Sequence, residues 1–256
     1  MTVCLCAALA PLLTPYSFEE MSLSERLQAP SMQHPLGTDN FGRDILSRLL
    51  YGGRVSLLVS LGAMGCALLA GTLLGGIATF YGGLVDELIM RGMDVIMAFP
   101  YIVLAITLIV VLKPGILNLI IVIAVTRVPH FARIMRSSTL TIMSKEYITA
   151  AHAIGQRGGP ILFRHVLPNC ITPLIVMASL SAGTAIIAES SLSFLGLGVQ
   201  PPVSSWGTMI SDGTRTLTNA PWTTAFPGLA ISLTVLGLNF VGDGLRDALD
   251  PRLRRL

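Results

Sequence analysis

The sequence predicts an all-α polytopic membrane protein with five complete spans and a short first span. Three observations carry that expectation. Only 12% of the 256 residues are charged and 52% are apolar, and mean hydropathy is +0.72. Several apolar stretches also approach the ~20 residues that a helix needs to cross about 30 Å of hydrocarbon. Soluble domains carry about 25% charged residues, so this chain has too few to cover a water-facing globule of its size. The 25 Gly and 15 Pro follow no period, which together with the apolar content excludes disorder and collagen-like repetition.

In chain order, Met1–Leu13 is apolar but rises only about 20 Å as a helix. It has no basic region ahead of its apolar core, so it reads as a clipped or misassigned first span rather than a signal peptide. Asp39–Leu50 reads as a capped short helix outside the membrane, with Asp44 and Arg48 as an i, i+4 ion pair. The five complete spans are Val55–Ala78, Val95–Leu112, Ile116–Met135, Ile171–Ala188 and Thr223–Val241. Turn residues separate them: Tyr81-Gly82-Gly83, Lys113-Pro114-Gly115 and the longer Gly198–Pro221 segment. Gly71 and Gly75 form a GxxxG pattern, which lets another helix backbone come close.

Lys and Arg orient the spans. With the loop after Ile116–Met135 in the cytoplasm, ten of the 17 basic residues lie inside, six lie outside and Arg127 lies within a span. Both termini are then cytoplasmic. The expected organisation is a short N-terminal span and extracytoplasmic segment (1–54), a transmembrane body (55–245) with a cytoplasmic loop at 136–169, and a basic cytoplasmic tail (246–256).

Several chemistries find no support. The net charge of +3 is scattered, and no basic patch with interleaved aromatics points to nucleic acid. Cys4, Cys6, Cys66 and Cys170 form no CxxC pair, and His34, His130, His152 and His165 lack metal-ligand spacing, so no metal site is expected. HExxH, GxSxG and the phosphate-binding GxxxxGK[ST] loop are absent. The chain is expected to be non-catalytic and to need no cofactor of its own.

Two charges within or beside spans are candidates for a translocation path. Arg127 lies about 16 Å into the span that starts at Ile116, and an intramembrane charge points by default to a polar pathway. The competing reading is an Arg that snorkels, or a span that ends early at Pro129. Glu189 lies about 27 Å along the span from Ile171, where it reads as a solvated residue beginning the outer loop, or as part of an outer gate or of a docking surface for a solute-binding protein. Asp94, three residues from Arg91, is expected to pair with it at the cytoplasmic end.

Thr139–Pro168 is the most informative segment. Leu140, Met143, Tyr147 and Ile154 fall at i, i+3, i+7 and i+14, an apolar stripe along one side of a helix. Gly155 is placed as its C-terminal stop. Such a face suits a groove on a partner or the lipid surface, and periodicity leaves both open. The spacing Thr149-Ala150-Ala151, then Gly155, then Leu167-Pro168 resembles the "EAA" loop of binding-protein-dependent ABC importer permeases. Thr149 stands where that pattern has Glu and His165 where it has Ile; Glu146, on nearly the same face, is the nearest carboxylate that could substitute. His34-Pro35-Leu36-Gly37-Thr38-Asp39, Gly42-Arg43-Asp44, Ala188–Gly198 and Gly242–Asp247 extend the resemblance to the second permease subunit of dipeptide, oligopeptide and nickel importers.

The resemblance implies a type I ABC importer transmembrane domain, six spans in the family. It implies a second homologous permease subunit, two ATPase subunits that bind ATP and Mg, and an extracytoplasmic solute-binding protein, in a bacterial inner membrane. Glu146, Thr149, Ala150, Ala151, Gly155, Leu167 and Pro168 would form the ATPase-coupling loop, with Ala150 and Ala151 permitting close approach. The implied cargo is a di- or oligopeptide, with nickel, glutathione or another small solute as alternatives. A secondary transporter or channel working without ATP is the competing class; inverted repeats, expected of many such folds, are not found in the sequence.

Overall fold

The computed structural model describes residues 5–7, 9–156 and 158–249. The described chain is helical. After α1 (Ala10–Leu13) and a single 3-10 turn (Leu23–Glu25) come α2 (Ile45–Tyr81), α3 (Gly83–Met97), α4 (Tyr101–Leu112) and α5 (Ile116–Met143). There follow α6 (Glu146–Ala153), α7 (Gly158–Ile161), a π turn (Leu162–Val166), α8 (Leu167–Phe194), α9 (Trp206–Thr214) and α10 (Trp222–Leu249). Among the described residues, α2, α5, the run Gly158–Phe194 and α10 are each long and apolar enough to cross a membrane. Helices α3 and α4 pass the same test together as one broken crossing, bent by 93°. The short first span expected at Met1–Leu13 lies partly outside the described residues, as do Cys4, Arg157 and the end of the basic tail.

Pro100 explains the break. It has no N–H to donate and disfavours helical geometry at Phe99, so α3 ends at Met97 and the stretch expected as one span, Val95–Leu112, is divided. Pro129, by contrast, lies inside α5 without ending it, which removes the expectation that this span stops early. The short extracytoplasmic helix expected over Asp39–Leu50 is also corrected. Residues 39–44 form a turn-rich segment, and the helix begins at Ile45 and continues to Tyr81. Asp44 caps it, accepting from the Ser47 N–H at 2.8 Å. Because Asp44 is engaged there and by His34 Nδ1 at 2.9 Å, Arg48 pairs with Asp39 and with Asp212 (3.2 Å) instead.

The residues gather into two compact units. The first comprises Met1–Ala63, Ala105–Ile123 and Ala182–Asn239. Its core surrounds Trp206, packed with Ala7, Ile45, Leu57, Ile186 and Met209. The Trp206 indole donates to the Leu49 carbonyl at 2.9 Å and its backbone N–H to Ser56 Oγ at 3.2 Å, so α9, closed by a Ser205/Thr208 capping box, is pinned to α2.

The second unit comprises Met64–Leu104, Ala124–Ser181 and Phe240–Leu256. Here the GxxxG pattern finds its partner. A Cβ on Gly71 would lie 2.4 Å from Phe131 Cβ, and one on Gly75 would lie 2.3 Å from the Ala132 carbonyl oxygen. The backbones of α2 and α5 therefore meet where only glycine fits. Two charge pairs fasten α3 to α5: Arg136 Nε to Asp86 at 2.6 Å and Arg133 Nη2 to Asp94 at 2.6 Å. Arg91, the expected partner of Asp94, is more distant at 4.0 Å.

Candidate functional site: a helical knob at the end of α5

Helix α5 ends at Met143, and one turn later α6 starts at Glu146. Lys145 makes the corner: its carbonyl accepts from Ile148 N–H at 3.0 Å and Thr149 N–H at 3.3 Å. The acidic side chain of Glu146 in the first turn suits the positive end of the helix dipole. At the other end Gly155 has φ +81°, the left-handed conformation that glycine reaches without steric cost. The Gln156 N–H then bonds back to the Ala151 carbonyl at 3.1 Å, the six-to-one bond of a Schellman stop.

The two faces of α6 differ. Ile148 (1% exposed) and Ala151 (7%) turn into the protein. Glu146, Thr149 and Ala150, at i, i+3 and i+4, are exposed together. The apolar stripe expected along one helix is divided by the turn at Ser144-Lys145: Leu140 and Met143 end α5, whereas Tyr147 lies on α6 and Ile154 just after it, all four exposed, Ile154 by 83%. Of the seven residues expected to form the coupling loop, four (Glu146, Thr149, Ala150 and Gly155) are thus exposed on or just after α6, whereas Ala151 belongs to its inner face.

Leu167 and Pro168 begin α8. A proline at 168 cannot donate to the carbonyl of Arg164 and would crowd it inside a regular helix. The π turn resolves the conflict, with Leu167 N–H reaching the Leu162 carbonyl and Asn169 Nδ2 donating to the His165 carbonyl at 2.6 Å. The same turn places His165 under the knob, its ring 6.4 Å from that of Tyr147. A cavity of about 230 Å³ lies in this unit, lined by Phe80, Thr139, Met143, Gly158, Ile161 and Leu162 among others. Thus the sequence spacing from Gly155 to Leu167-Pro168 marks two helix boundaries: a left-handed stop and a widened start.

The two charges expected along a path fall in different units. Arg127 is on α5 in the second, its guanidinium 5.3 Å from the Tyr101 ring centroid. Glu189 is in the first and is completely buried. Ser193 Oγ donates to it at 2.7 Å and Ser190 Oγ at 3.3 Å, with Ser56 and Ser205 also in bonding reach. This corrects the reading of Glu189 as a solvated outer-loop residue: four hydroxyls replace the water it was expected to have, and it ties α8 to α2 and α9. The only hint in the sequence was the serine spacing around it, at i+1 and i+4. Sequence reasoning also missed the buried cluster of Asp39, Arg43 and Arg48 with the half-exposed Asp212.

Comparison with known proteins gives this arrangement a context. The family described as "Binding-protein-dependent transport system inner membrane component" matches residues 67–255. A dipeptide transport system permease protein, DppC, of Alkalihalophilus pseudofirmus is 50% identical over 98% of this chain and 82% of its own length. The oligopeptide transport system permease protein OppC of Bacillus subtilis is 41% identical, covering 99% and 83%. A glutathione transport system permease protein, GsiD, of Pectobacterium atrosepticum is 44% identical, covering 96% and 82%. Among solved structures, the inward-facing MetNI methionine ABC transporter matches with a TM-score of 0.65 at 18% identity, covering 79% of this chain and 96% of the other. That likeness shows the fold, the transmembrane domain of an ABC importer.

Proposed function

The chain belongs to the binding-protein-dependent transport system inner membrane component family, and from that premise we propose that it is the permease subunit of an ATP-driven importer carrying di- or oligopeptides across the bacterial cytoplasmic membrane. A second homologous permease completes the pathway. Two ATPase subunits bind ATP and Mg and supply the energy, and an extracytoplasmic binding protein delivers the cargo. The chain itself catalyses no reaction, and both its termini face the cytoplasm.

The observation that carries the reading is the knob. Its exposed face sets Tyr147 and Ala150 beside Glu146 and Thr149, with Ile154 exposed at its end, and it joins α5 through a single turn. When the ATPases close on nucleotide, a helix seated in them is displaced. Because α6 follows α5 directly, α5 must go with it. Helix α5 in turn meets the end of α2 at glycine contacts that leave no slack and holds α3 through two charge pairs. Close-packed contacts transmit displacement rather than absorb it.

Reconstitution of the chain with its partner permease, ATPases and binding protein tests the proposal. ATP-dependent accumulation of a labelled dipeptide in vesicles is expected. Accumulation by the chain alone, with no nucleotide, would refute it. The relatives named for glutathione at 44% and 45% identity favour a second reading, glutathione as cargo, which excess unlabelled glutathione in the same assay distinguishes.

A further inference from the structure

We propose that Arg127 and His130 form a subsite inside the membrane for the C-terminal carboxylate of the transported peptide. The inference rests on the peptide-importer reading and assigns a cargo contact to α5. Arg127 and His130 are one turn apart on that helix, and Arg127 Nε and His130 Nδ1 are both buried without a hydrogen-bond partner. The other two arginines of α5 are matched: Arg133 to Asp94 and Arg136 to Asp86. Among the described residues, no carboxylate comes within ion-pair distance of Arg127. Instead its guanidinium lies against the ring of Tyr101, the first residue of α4, so that the start of a twelve-residue helix adjoins it. Such half-helix starts favour an anion.

Depth decides which anion. Arg127 is eleven residues from Ile116, about 16 Å along the helix, close to the middle of a ~30 Å hydrocarbon layer. With the hydrocarbon beginning at Ile116, as the sequence reading expects, lipid phosphates lie beyond the reach of its side chain. An intramembrane cation is held by a partner charge or faces a polar path, and either places Arg127 where a carboxylate of the cargo can reach it. Peptides with differing side chains share their backbone and termini, and of these the C-terminal carboxylate is the one anion present in every turnover. Two neighbouring donors, a planar guanidinium and an imidazole, suit a carboxylate's two oxygens.

The test uses the complete importer in vesicles, with wild type, R127L, R127K and H130F compared. The substrates are one tripeptide as its free acid and as its C-terminal amide. The binding protein's own preference cancels when the free-acid to amide uptake ratio is compared between variants. That ratio is expected to fall about tenfold in R127L, the scale of one hydrogen bond to a charged group, less in H130F, and little in R127K. An unchanged ratio in R127L overturns the proposal. As a second measurement, R127K treated with dicyclohexylcarbodiimide during turnover should form an amide between Lys Nζ and the peptide, with the dicyclohexylurea leaving. A peptide adduct supports the subsite. An adduct to a partner subunit's carboxylate, or none in a variant that still transports, overturns it. Failure of the wild type to move any peptide would instead overturn the function proposed above.

Discussion

Replacing Gly155 with valine isolates the stop of α6 from its bulk. A Cβ at this position meets nothing within 4 Å, so the substitution causes no clash. Its cost is conformational. At φ +81° an L-residue pays about 1–2 kcal/mol, and a β-branched residue belongs at the upper end. Since about 1.4 kcal/mol is tenfold, the turn that places Ile154 and closes α6 through Gln156 becomes roughly 5- to 30-fold less populated. If the ATPase groove accepts only the closed form, its apparent affinity falls with the closed fraction, by up to the same factor. The assay is titration of purified ATPase onto vesicles holding wild type, Gly155→Val or Gly155→Asn at matched abundance, with peptide uptake in parallel. Asparagine tolerates the left-handed conformation and should bind close to wild type. Equal binding by Gly155→Val, or an equally weak Gly155→Asn, would refute the reasoning.

The two alanines of the loop should separate. Ala150→Trp, on the exposed face, should leave the protein abundant and reduce ATPase recovery, whereas Ala151→Trp should lower the thermal midpoint, because overpacking costs about 1–3 kcal/mol. Neighbouring glycines of α2 should respond with opposite signs. Gly75→Ala should destabilise despite the gain in helix propensity, while Gly76→Ala, whose Cβ would meet only Met135 Cε at 3.5 Å, should stabilise by up to about 1 kcal/mol in detergent melts. Asp86→Asn should keep ATPase binding but lower uptake, and the exchange Asp86→Arg with Arg136→Asp should restore part of it; uptake unaffected by Asp86→Asn would remove this pair from the transmission.

What the sequence made legible was governed by short-range physics. Hydropathy located α2, α5, α8 and α10, and the spacing around Gly155 located the knob, because a span length and a left-handed stop are local requirements. Helix α3 carries Asp86, Glu87, Arg91 and Asp94, charges that keep a hydropathy window from extending the span N-terminal to Val95. Two of them are neutralised by Arg133 and Arg136, 39 and 50 residues further on, and no local window sees such a pairing. The same holds for Arg48, whose partner Asp212 is 164 residues away. On α6 the limit was different. With Tyr147, Ile148, Ala150, Ala151 and Ile154 all apolar, periodicity marks a helix but does not say which side faces inward.

The distribution of charge in the second unit then constrains how the knob can act. Arg133 and Arg136 are spent on holding α3, so a force applied to α6 reaches the crossing that is broken at Pro100 as well as α5 itself. A broken crossing can change its angle at the break, where no helical hydrogen bonds span the gap, without unfolding either half. Tyr101 begins the second half and lies against Arg127. Motion arriving along α3 and motion arriving along α5 therefore meet at one contact, the Arg127–Tyr101 stack. A rigid α5 with an unbroken α3–α4 crossing would move both sides of that contact together and leave it unchanged. In the proposed coupling, the break would allow displacement of the knob to alter the surroundings of Arg127, the arginine of α5 for which no carboxylate partner exists among the described residues.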